Sequence, residues 1–213
     1  MNARKLGFLL SLALLLCGCR TAYYATMEKF GVYKRDLLKK SVTAARDGQS
    51  AAAEQFKDAL TRFRELYDVQ GGNLEKTYDA LNRDYERSVS RANTVHKRIS
   101  EMETVAGDLF AEWEKEIKEI SSETLRDSSR QKLKDTRRRY DELHAALKRA
   151  EQSMDPVLVR FHDQVLFVKH NLNAAAIASL KGESTEIQSE IAKLVQEMNA
   201  AIAKADIFIK ELE

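Results

Sequence analysis

The chain has 213 residues, of which 44% are apolar and 32% charged, and it contains one proline and eight glycines. This composition excludes a disordered or proline-rich chain and predicts a helix-rich protein with few, short loops. A formal net charge of only +2 gives no global support for nucleic-acid binding, so no nucleic-acid partner is expected.

The first 18 residues have the pattern of an export signal. Arg4 and Lys5 precede an uncharged, mostly apolar run of eleven residues, 6–16, and Arg20 follows shortly afterwards. A transmembrane helix needs about 20 apolar residues, so we interpret residues 1–18 as a cleaved signal peptide and not as a permanent span. Its removal leaves 33 basic and 33 acidic residues.

The segment Leu16-Cys17-Gly18-Cys19 is similar to a bacterial lipobox, in which a small residue precedes a cysteine that receives a diacylglyceryl thioether. We therefore predict Cys19 as the lipid attachment site, carrying acyl chains such as palmitate. Ordinary signal cleavage further on, near Ala22 or Ala25, remains the alternative. Because cleavage removes Cys17 and lipidation modifies Cys19, no disulfide is expected.

After a short tether, 19–25, apolar residues at three- and four-residue spacing predict a first helix over about 26–67. Gly71 and Gly72 then supply the conformations that a helical hairpin turn requires. A second helix is predicted over 74–121, where the apolar residues form a heptad seam of about five repeats with Ser88 as its polar member. A helix of this length needs packing partners from end to end.

A turn at 121–124 predicts the start of a third helix, with Ser122 or Thr124 as its N-cap. Its apolar stripe continues past Pro156 without a change of phase, so we expect a kinked helix that keeps its direction and not a chain reversal. A fresh start at Asp155-Pro156 is the alternative. A last turn at Lys181-Gly182-Glu183, with Ser184 as a cap, leads to a fourth helix.

These elements predict an all-α protein: an elongated antiparallel bundle of about four long helices with coiled-coil-like heptad packing, forming one domain over 26–213. A solenoid is the weaker alternative, because no repeat of fixed period is evident.

Several segments carry a family resemblance beyond the lipobox: Tyr23-Tyr24, Glu28-Lys29-Phe30-Gly31 with Lys34-Arg35-Asp36, Phe110-Ala-Glu-Trp113 and Lys169-His-Asn-Leu-Asn-Ala174. Together they resemble the bacterial lipoproteins grouped as domain of unknown function 2959. The resemblance covers nearly the whole chain and implies a helical fold. It implies no activity.

Catalytic and metal-binding patterns are weak. The four histidines, His96, His144, His162 and His170, include no pair at i, i+4 spacing, and the closest approach to a di-iron motif is Asp141-Glu-Leu-His144 in one copy. We interpret the histidines as solvated or capping residues and expect no metal, no cofactor and no enzymatic activity. Asn171 and Asn173 are interpreted as polar residues that set the register between helices.

The dense basic run on the third helix is the one candidate binding surface. If the helices alternate in direction, the turn at 121–124 returns towards the end that Cys19 anchors. Basic side chains beyond it would then lie near anionic lipid headgroups, and the candidates are Arg130, Lys134, Arg137, Arg138 and Arg139. A solvated helical face is the simpler alternative.

The sequence therefore predicts a lipid-anchored, non-enzymatic structural or interaction module of the bacterial cell envelope, with a further envelope protein as partner. Arg20 after the lipidated cysteine predicts the outer membrane, with the domain facing the periplasm. The first alternative is a membrane-shaping or anionic-lipid-binding module, and a metal-dependent bundle enzyme is more distant.

Overall fold

A computed structural model describes residues 33–68, 74–171 and 181–212. Cys19, the predicted signal peptide and the tether lie outside these ranges. The described residues form five helical segments, α1 (Lys34–Asp68), α2 (Leu74–Glu119), α3 (Glu123–Gln152), α4 (Met154–His170) and α5 (Lys181–Glu211). The predicted all-α class is confirmed.

The helices pack as an antiparallel bundle. Helix α1 lies between α2 and α5, and both α3 and α4 pack against the same two neighbours, α2 and α5. Lys34 at the start of α1 forms an ion pair with Glu112 near the end of α2, whereas Arg62 near the end of α1 contacts Asp84 near the start of α2. Since α3 and α4 share their neighbours, the bundle has four helices, of which the third is interrupted.

The heptad seam of α2 faces the core as predicted. Its Leu81, Ala92, Val95, Ile99, Met102 and Ala106 are at most 2% exposed. Ser88 is fully buried, and its hydroxyl donates to the carbonyl oxygen of Asp84 at 2.7 Å, so the one polar member of the seam satisfies its donor within its own helix.

The interruption between α3 and α4 is a kink at Ser153, and the chain keeps its direction. Ser153 has helical dihedral angles (φ −75°, ψ −13°), and its backbone N–H still donates to the carbonyl oxygen of Arg149. Pro156 is the third residue of α4; it has no N–H, and its ring crowds the carbonyl of Gln152. The kinked helix that the sequence predicts is therefore what the structure shows, with the break just before the proline.

Two sequence predictions at the end of the third helix and the start of the fourth were wrong. Lys181, Gly182 and Glu183 are helical, because α5 already begins at Lys181; one glycine costs a helix only about 1 kcal/mol, too little to enforce a turn. Asn171 does not reach a neighbouring helix, since its amide donates to the carbonyl oxygen of Phe167 in its own helix at 3.0 Å. Asn173 lies outside the described residues.

One end of the bundle, called here the entry end, holds Tyr33 and the turn at Ser121–Ser122. The pair Lys34–Glu112 sets the start of α1 beside the last turns of α2, and Arg139 Nε lies 3.2 Å from Glu211 Oε2, which sets the end of α5 beside the middle of α3. The turn after α2 therefore returns to the end where the described chain begins, as the alternation of helices predicts. The opposite end, the distal end, holds Asp68 and Leu74.

An aromatic cluster stabilises each half of the core. In the distal half, Phe161 lies 4.8 Å from Phe63 and 5.5 Å from Tyr85, measured between ring centroids. In the entry half, Tyr140 lies 5.5 Å from Phe110 and 6.2 Å from Phe208. Each cluster joins three bundle helices, so both halves are held by large apolar contacts.

Candidate functional site

The basic run lies on the first five turns of α3, in the half of this helix nearer the entry end. Ser122 has an extended conformation (φ −71°, ψ 119°), and its side chain accepts from the backbone N–H of Leu125, so it is the N-cap that the sequence predicts. The indole N–H of Trp113 on α2 donates to the hydroxyl of Ser129 at 2.9 Å. This contact holds the first turns of α3 against the end of α2.

Arg137 is committed to contacts inside the bundle. Its guanidinium forms an ion pair with Glu114 of α2 at 2.8 Å, and its Cζ lies 5.0 Å from the centroid of the Phe110 ring. Because the carboxylate compensates its charge and the aromatic face occupies one side of the guanidinium, the attraction of Arg137 for a lipid headgroup is weakened.

Three other predicted basic residues also have carboxylate partners. Arg130 pairs with Asp127 at 2.8 Å, Arg138 pairs with Glu142 at 2.9 Å, and Arg139 lies 3.2 Å from Glu211. Lys134 is exposed and forms no ion pair within the described ranges. The structure thus brings the five residues onto one helix but compensates four of their charges.

Acidic residues balance this end of the bundle as a whole. Residues 108–142, which contain the end of α2 and the basic run, include ten Asp or Glu and nine Lys or Arg. Five of these carboxylates are on α2; Glu114 pairs with Arg137 of α3, whereas Glu112 pairs with Lys34 of α1. The run looks basic when α3 is read alone and is close to neutral once α2 is folded against it.

The surface of the basic run is a shallow groove of about 800 Å³. Nine of its ten lining residues lie on α3, and Glu114 of α2 is the tenth. Leu133 forms part of its floor, with Lys134, Arg138 and Asp141 around it. A groove lined almost entirely by one helix presents a surface and does not enclose a small molecule.

Behind this surface, burial shifts the titration of Tyr140. Desolvation raises the pKa of its phenol, and the nearby carboxylates of Glu103 and Asp141 raise it further. About two turns further along α3, the hydrogen bond that Lys148 donates to Glu151 raises the pKa of the lysine. This pair lies within α3.

The histidines differ from the sequence interpretation. His96 and His144 each contact a carboxylate of the neighbouring helix, and the ring of His162 stacks on Tyr85 at 5.0 Å between centroids. The prediction of solvated or capping histidines was wrong for His96 and His144, because these two join helices. In the part of the chain that the structure describes, no three His, Cys, Asp or Glu side chains are grouped as a metal site would require.

Sequence reasoning also missed a set of buried polar residues, Gln49, Asp84 and Glu151. Gln49 of α1 reaches across the bundle to the carbonyl oxygen of Leu147 on α3 at 3.4 Å, and Asp84 accepts from Arg62 at 3.2 Å. These residues recur at the spacing of the apolar stripe that faces the core, and this periodicity was the signal from which their burial could have been predicted. Which partner each one meets depends on the register between helices, which one sequence does not reveal.

Two large apolar side chains are exposed at the entry end, Tyr33 (61%) and Leu125 (63%). A single exposed apolar residue is common on protein surfaces. Tyr33 and Leu125, however, both lie at the end where the chain enters the bundle.

None of the helices within the described ranges has a stretch sufficiently long and apolar to cross a bilayer.

The fold and the surface define a class: an antiparallel helical bundle whose helices are joined by interhelical ion pairs. Over residues 23–212 the chain matches the family described as Protein of unknown function (DUF2959). It therefore belongs to that family, and the predicted membership in domain of unknown function 2959 is confirmed. No curated protein and no solved structure matches the chain.

Proposed function

We propose that this protein is a lipid-anchored helical module of the bacterial cell envelope that binds or spaces another envelope component and has no catalytic activity. The observation that carries the proposal is the segment Leu16-Cys17-Gly18-Cys19, which follows an apolar run and precedes the bundle. Lipidation of Cys19 anchors the domain. Arg20 in the next position favours the outer membrane, with the domain in the periplasm.

The geometry of the bundle supports a spacing role. Helix α2 has 46 residues and is about 70 Å long at roughly 1.5 Å per residue. The described chain enters at one end of this rod, only fourteen residues after Cys19. The distal end is therefore well placed to meet a partner away from the lipid surface.

The polar contacts also favour a structural role. Arg46 pairs with Asp206 at 2.8 Å between α1 and α5, and Arg160 of α4 lies 3.2 Å from Glu186 and 3.3 Å from Glu190 of α5. These pairs are partly exposed and each contributes little to stability, but they join helices to one another and do not converge on a site that could bind a small molecule.

Substitution of the predicted lipidation site tests the anchor. Cys19→Ser, exported behind a signal peptide that is cleaved without lipidation, should move the protein from the membrane fraction to the soluble periplasmic fraction, because acyl chains bind at about 0.8 kcal/mol per buried methylene. Cys17→Ser is the matched control, since the proposal removes Cys17 with the signal, and it should leave the protein in the membrane. Retention of the Cys19→Ser protein after a high-salt wash would overturn lipid anchoring as the main attachment.

Photo-crosslinking in intact cells tests the partner. A photoreactive residue at Leu125 samples the entry end, and one at Val159, which is 62% exposed, samples α4 towards the distal end. The spacing role predicts a protein crosslink from the distal half, identified by mass spectrometry of the isolated adduct. Crosslinks from Leu125 alone would place the partner at the membrane surface and contradict spacing.

The alternative, an anionic-lipid-binding or membrane-shaping module, rests on Arg130 and Lys134, which are exposed at the entry end. Its test is binding of the same Cys19→Ser protein, free of its signal peptide, to anionic vesicles. Reversal of Arg130 and Lys134 to Glu should weaken that binding, whereas reversal of Arg83 and Arg91, exposed towards the distal half of α2, should not. Absence of binding to anionic vesicles at low salt would exclude this alternative.

The more distant alternative, a metal-dependent bundle enzyme, is tested by metal analysis of the purified protein.

A further inference from the structure

Two histidine–carboxylate bridges join α2 to α3. His96 of α2 has its Nδ1 2.7 Å from Oε1 of Glu151 on α3. His144 of α3 has its Nε2 2.7 Å from Oε1 of Glu103 on α2. Each helix thus contributes one histidine and one glutamate to the same seam.

The bridges repeat in the register of the antiparallel pair. His96 and Glu103 are seven residues apart on α2, as are His144 and Glu151 on α3, so one heptad of about 10 Å separates the two contacts. One heptad earlier on α3, Arg137 meets Glu114 of α2 at 2.8 Å. The seam therefore has bridges at three successive heptad positions of α3, and two of the three depend on histidine.

Other seams of the bundle are bridged by cations that do not titrate near neutral pH. Arg62 meets Asp84 between α1 and α2, Arg46 meets Asp206 between α1 and α5, and Arg139 meets Glu211 between α3 and α5. A guanidinium keeps its charge at every accessible pH, whereas an imidazole changes charge near pH 6.5. A change of pH around neutrality should therefore act mainly on the α2–α3 seam.

Charged side chains surround the bridge of His96. Glu151 is only 6% exposed at its side chain, Asp155 of α4 lies 3.6 Å from the other ring nitrogen, and Lys148 contacts Glu151 at 2.5 Å. Two carboxylates thus face this imidazole, and one ammonium partly compensates them.

A similar set surrounds His144. Glu103 of α2 is in contact, Asp141 lies one turn away on α3 and Lys148 one turn away in the other direction, while Tyr140 stacks on the imidazole at 5.8 Å between centroids. Over the two bridges, three carboxylates contact the imidazoles, and Asp141 and one ammonium lie one turn from His144. Protonation of the histidines brings this cluster closer to charge balance.

We propose that the α2–α3 seam is a pH-responsive latch that tightens as the pH falls from about 7.5 to about 5.5. At the higher pH each bridge is a hydrogen bond from a neutral imidazole N–H to a carboxylate. At the lower pH it is an imidazolium–carboxylate pair, and charge-assisted hydrogen bonds of this kind are roughly twice as strong. Below about pH 4.5 the carboxylates themselves take up protons and the attraction is lost.

The latch acts on the helix that presents the surface of the entry end. Tightening holds the second half of α3, which contains His144 and Glu151, against α2. This inference does not depend on lipid anchoring or on the proposed partner, because it follows from contacts inside the bundle.

Thermal unfolding of the full-length protein in detergent tests the latch. The melting temperature of the wild type should rise by about 2–4 °C between pH 7.5 and pH 5.5, the size expected for about 1 kcal/mol in a chain of this length. In the variant with both His96→Gln and His144→Gln the rise should be absent, since Gln keeps an N–H donor but does not titrate. A wild type without the rise, or a double variant that keeps it, would overturn the proposal.

Two matched controls keep the test specific. Arg137→Gln breaks the third bridge of the same seam and should lower the melting temperature by a similar amount at both pH values, leaving the rise intact. His162→Gln removes a histidine that stacks on Tyr85 and takes part in neither of the two bridges. The rise in melting temperature should therefore remain in this variant. Loss of the rise in the His162→Gln protein would assign the pH response to another site.

Hydrogen exchange supplies a local readout. In the wild type, amides of α3 between Tyr140 and Gln152 should exchange more slowly at pH 5.5 than at pH 7.5, after correction for the intrinsic pH dependence of exchange. Amides of α1 around Ala52 should show no such difference, because they lie on seams bridged by arginine. Equal protection of α3 at the two pH values would contradict a latch located at this seam.

Discussion

Tyr140 lies where three helices meet, and its phenol is the buried group whose titration most clearly depends on folding. Its ring contacts Phe110 of α2 and Phe208 of α5, and it is 7% exposed. Burial and the carboxylates of Glu103 and Asp141 raise its pKa. The folded protein therefore holds this proton at a pH where the unfolded chain releases it.

The first prediction is a loss of stability at alkaline pH that depends on this phenol. A group whose pKa is raised by folding stabilises the protein fully below its unfolded pKa, about 10 for tyrosine, and this contribution disappears as the pH rises towards the folded value. The free energy of unfolding should fall by up to about 1.4 kcal/mol per pH unit above pH 10 for this proton. Urea unfolding at pH 8.5 and pH 10.5 measures it.

The matched variants for this measurement are Tyr140→Phe and Tyr33→Phe. Phenylalanine at 140 keeps the ring contacts and removes the proton, so the fall should be smaller in that protein, with a remainder from Lys148, whose raised pKa acts in the same direction. Tyr33 is 61% exposed, and its variant should behave as the wild type. An equal fall in the Tyr140→Phe protein would contradict this explanation.

Gln49 carries a second prediction at the scale of one residue. It is fully buried, its amide makes one long hydrogen bond to Leu147, and its Oε1 has no hydrogen-bond partner among the described residues. A buried polar atom without a partner costs about 1–3 kcal/mol. Gln49→Met, which keeps the volume, should therefore raise the free energy of unfolding by about 1 kcal/mol.

Gln49→Ala separates the polar effect from packing in the same urea experiment. It removes the same unpaired oxygen but leaves a cavity, so it should lower the stability by about 2 kcal/mol. A methionine variant less stable than the wild type would show that the amide has a favourable partner, such as a buried water.

At the scale of one element, the seam of α2 is the most sensitive part of the fold. Ile99 is fully buried in the middle of this helix, and Ser100 beside it is exposed. Ile99→Asp places a charge in the narrow core of the bundle, at a cost of several kcal/mol. The free energy of unfolding of a typical protein is only about 5–15 kcal/mol. Circular dichroism should show a large loss of helicity and a much lower melting temperature.

Ser100→Asp is the control, because it adds the same charge to the same turn at the surface. It should change the melting temperature by less than about 2 °C, as surface substitutions usually stay within about 0.5 kcal/mol. Equal behaviour of the two variants would mean that the seam does not face the core.

The helices themselves could be predicted because each one follows a single periodic pattern. Leu81, Val95, Ile99 and Met102 recur at three- and four-residue spacing, and each is buried. Turns are harder to predict, because they rest on one or two residues each. Ser122 was found because a cap has its own side-chain chemistry, whereas the expected turn at Gly182 failed because a single glycine weakens a helix without ending it.

The bridges between helices could not be predicted, for a physical reason. Periodicity shows that His96 flanks the core stripe of α2, but its partner is fixed by the offset between α2 and α3. If α3 were shifted by one heptad along α2, His144 would take the place of Glu151 beside His96, and the bridge would be lost. Only the packed bundle, in which all seams are satisfied together, selects the offset that pairs each histidine with a glutamate.

At the scale of the whole molecule, the alternation of helix directions decides which surfaces lie near the anchor. Helix α1 begins beside Glu112, so the turn at Ser121–Ser122 belongs to the same end as the start of the described chain. Glu75, in the first turn of α2, lies about 70 Å away along that helix at roughly 1.5 Å per residue. A lipid at Cys19 should therefore hold the two ends of the rod at different distances from the membrane.

The last prediction measures this difference. If the proposed processing occurs, the mature protein has no free thiol, so Ser121→Cys and Glu75→Cys each give one labelling site, and both positions are exposed. The lipidated proteins are labelled with a fluorophore and reconstituted into vesicles that contain a headgroup quencher. Fourteen residues separate Cys19 from Tyr33 and span at most about 50 Å when fully extended. The label at residue 121 should be quenched strongly, whereas the label at residue 75 should be quenched little, and vesicles without quencher give the reference intensities. Equal quenching would mean that the rod lies flat on the membrane, which would contradict the spacing role and favour a lipid-binding face along the bundle.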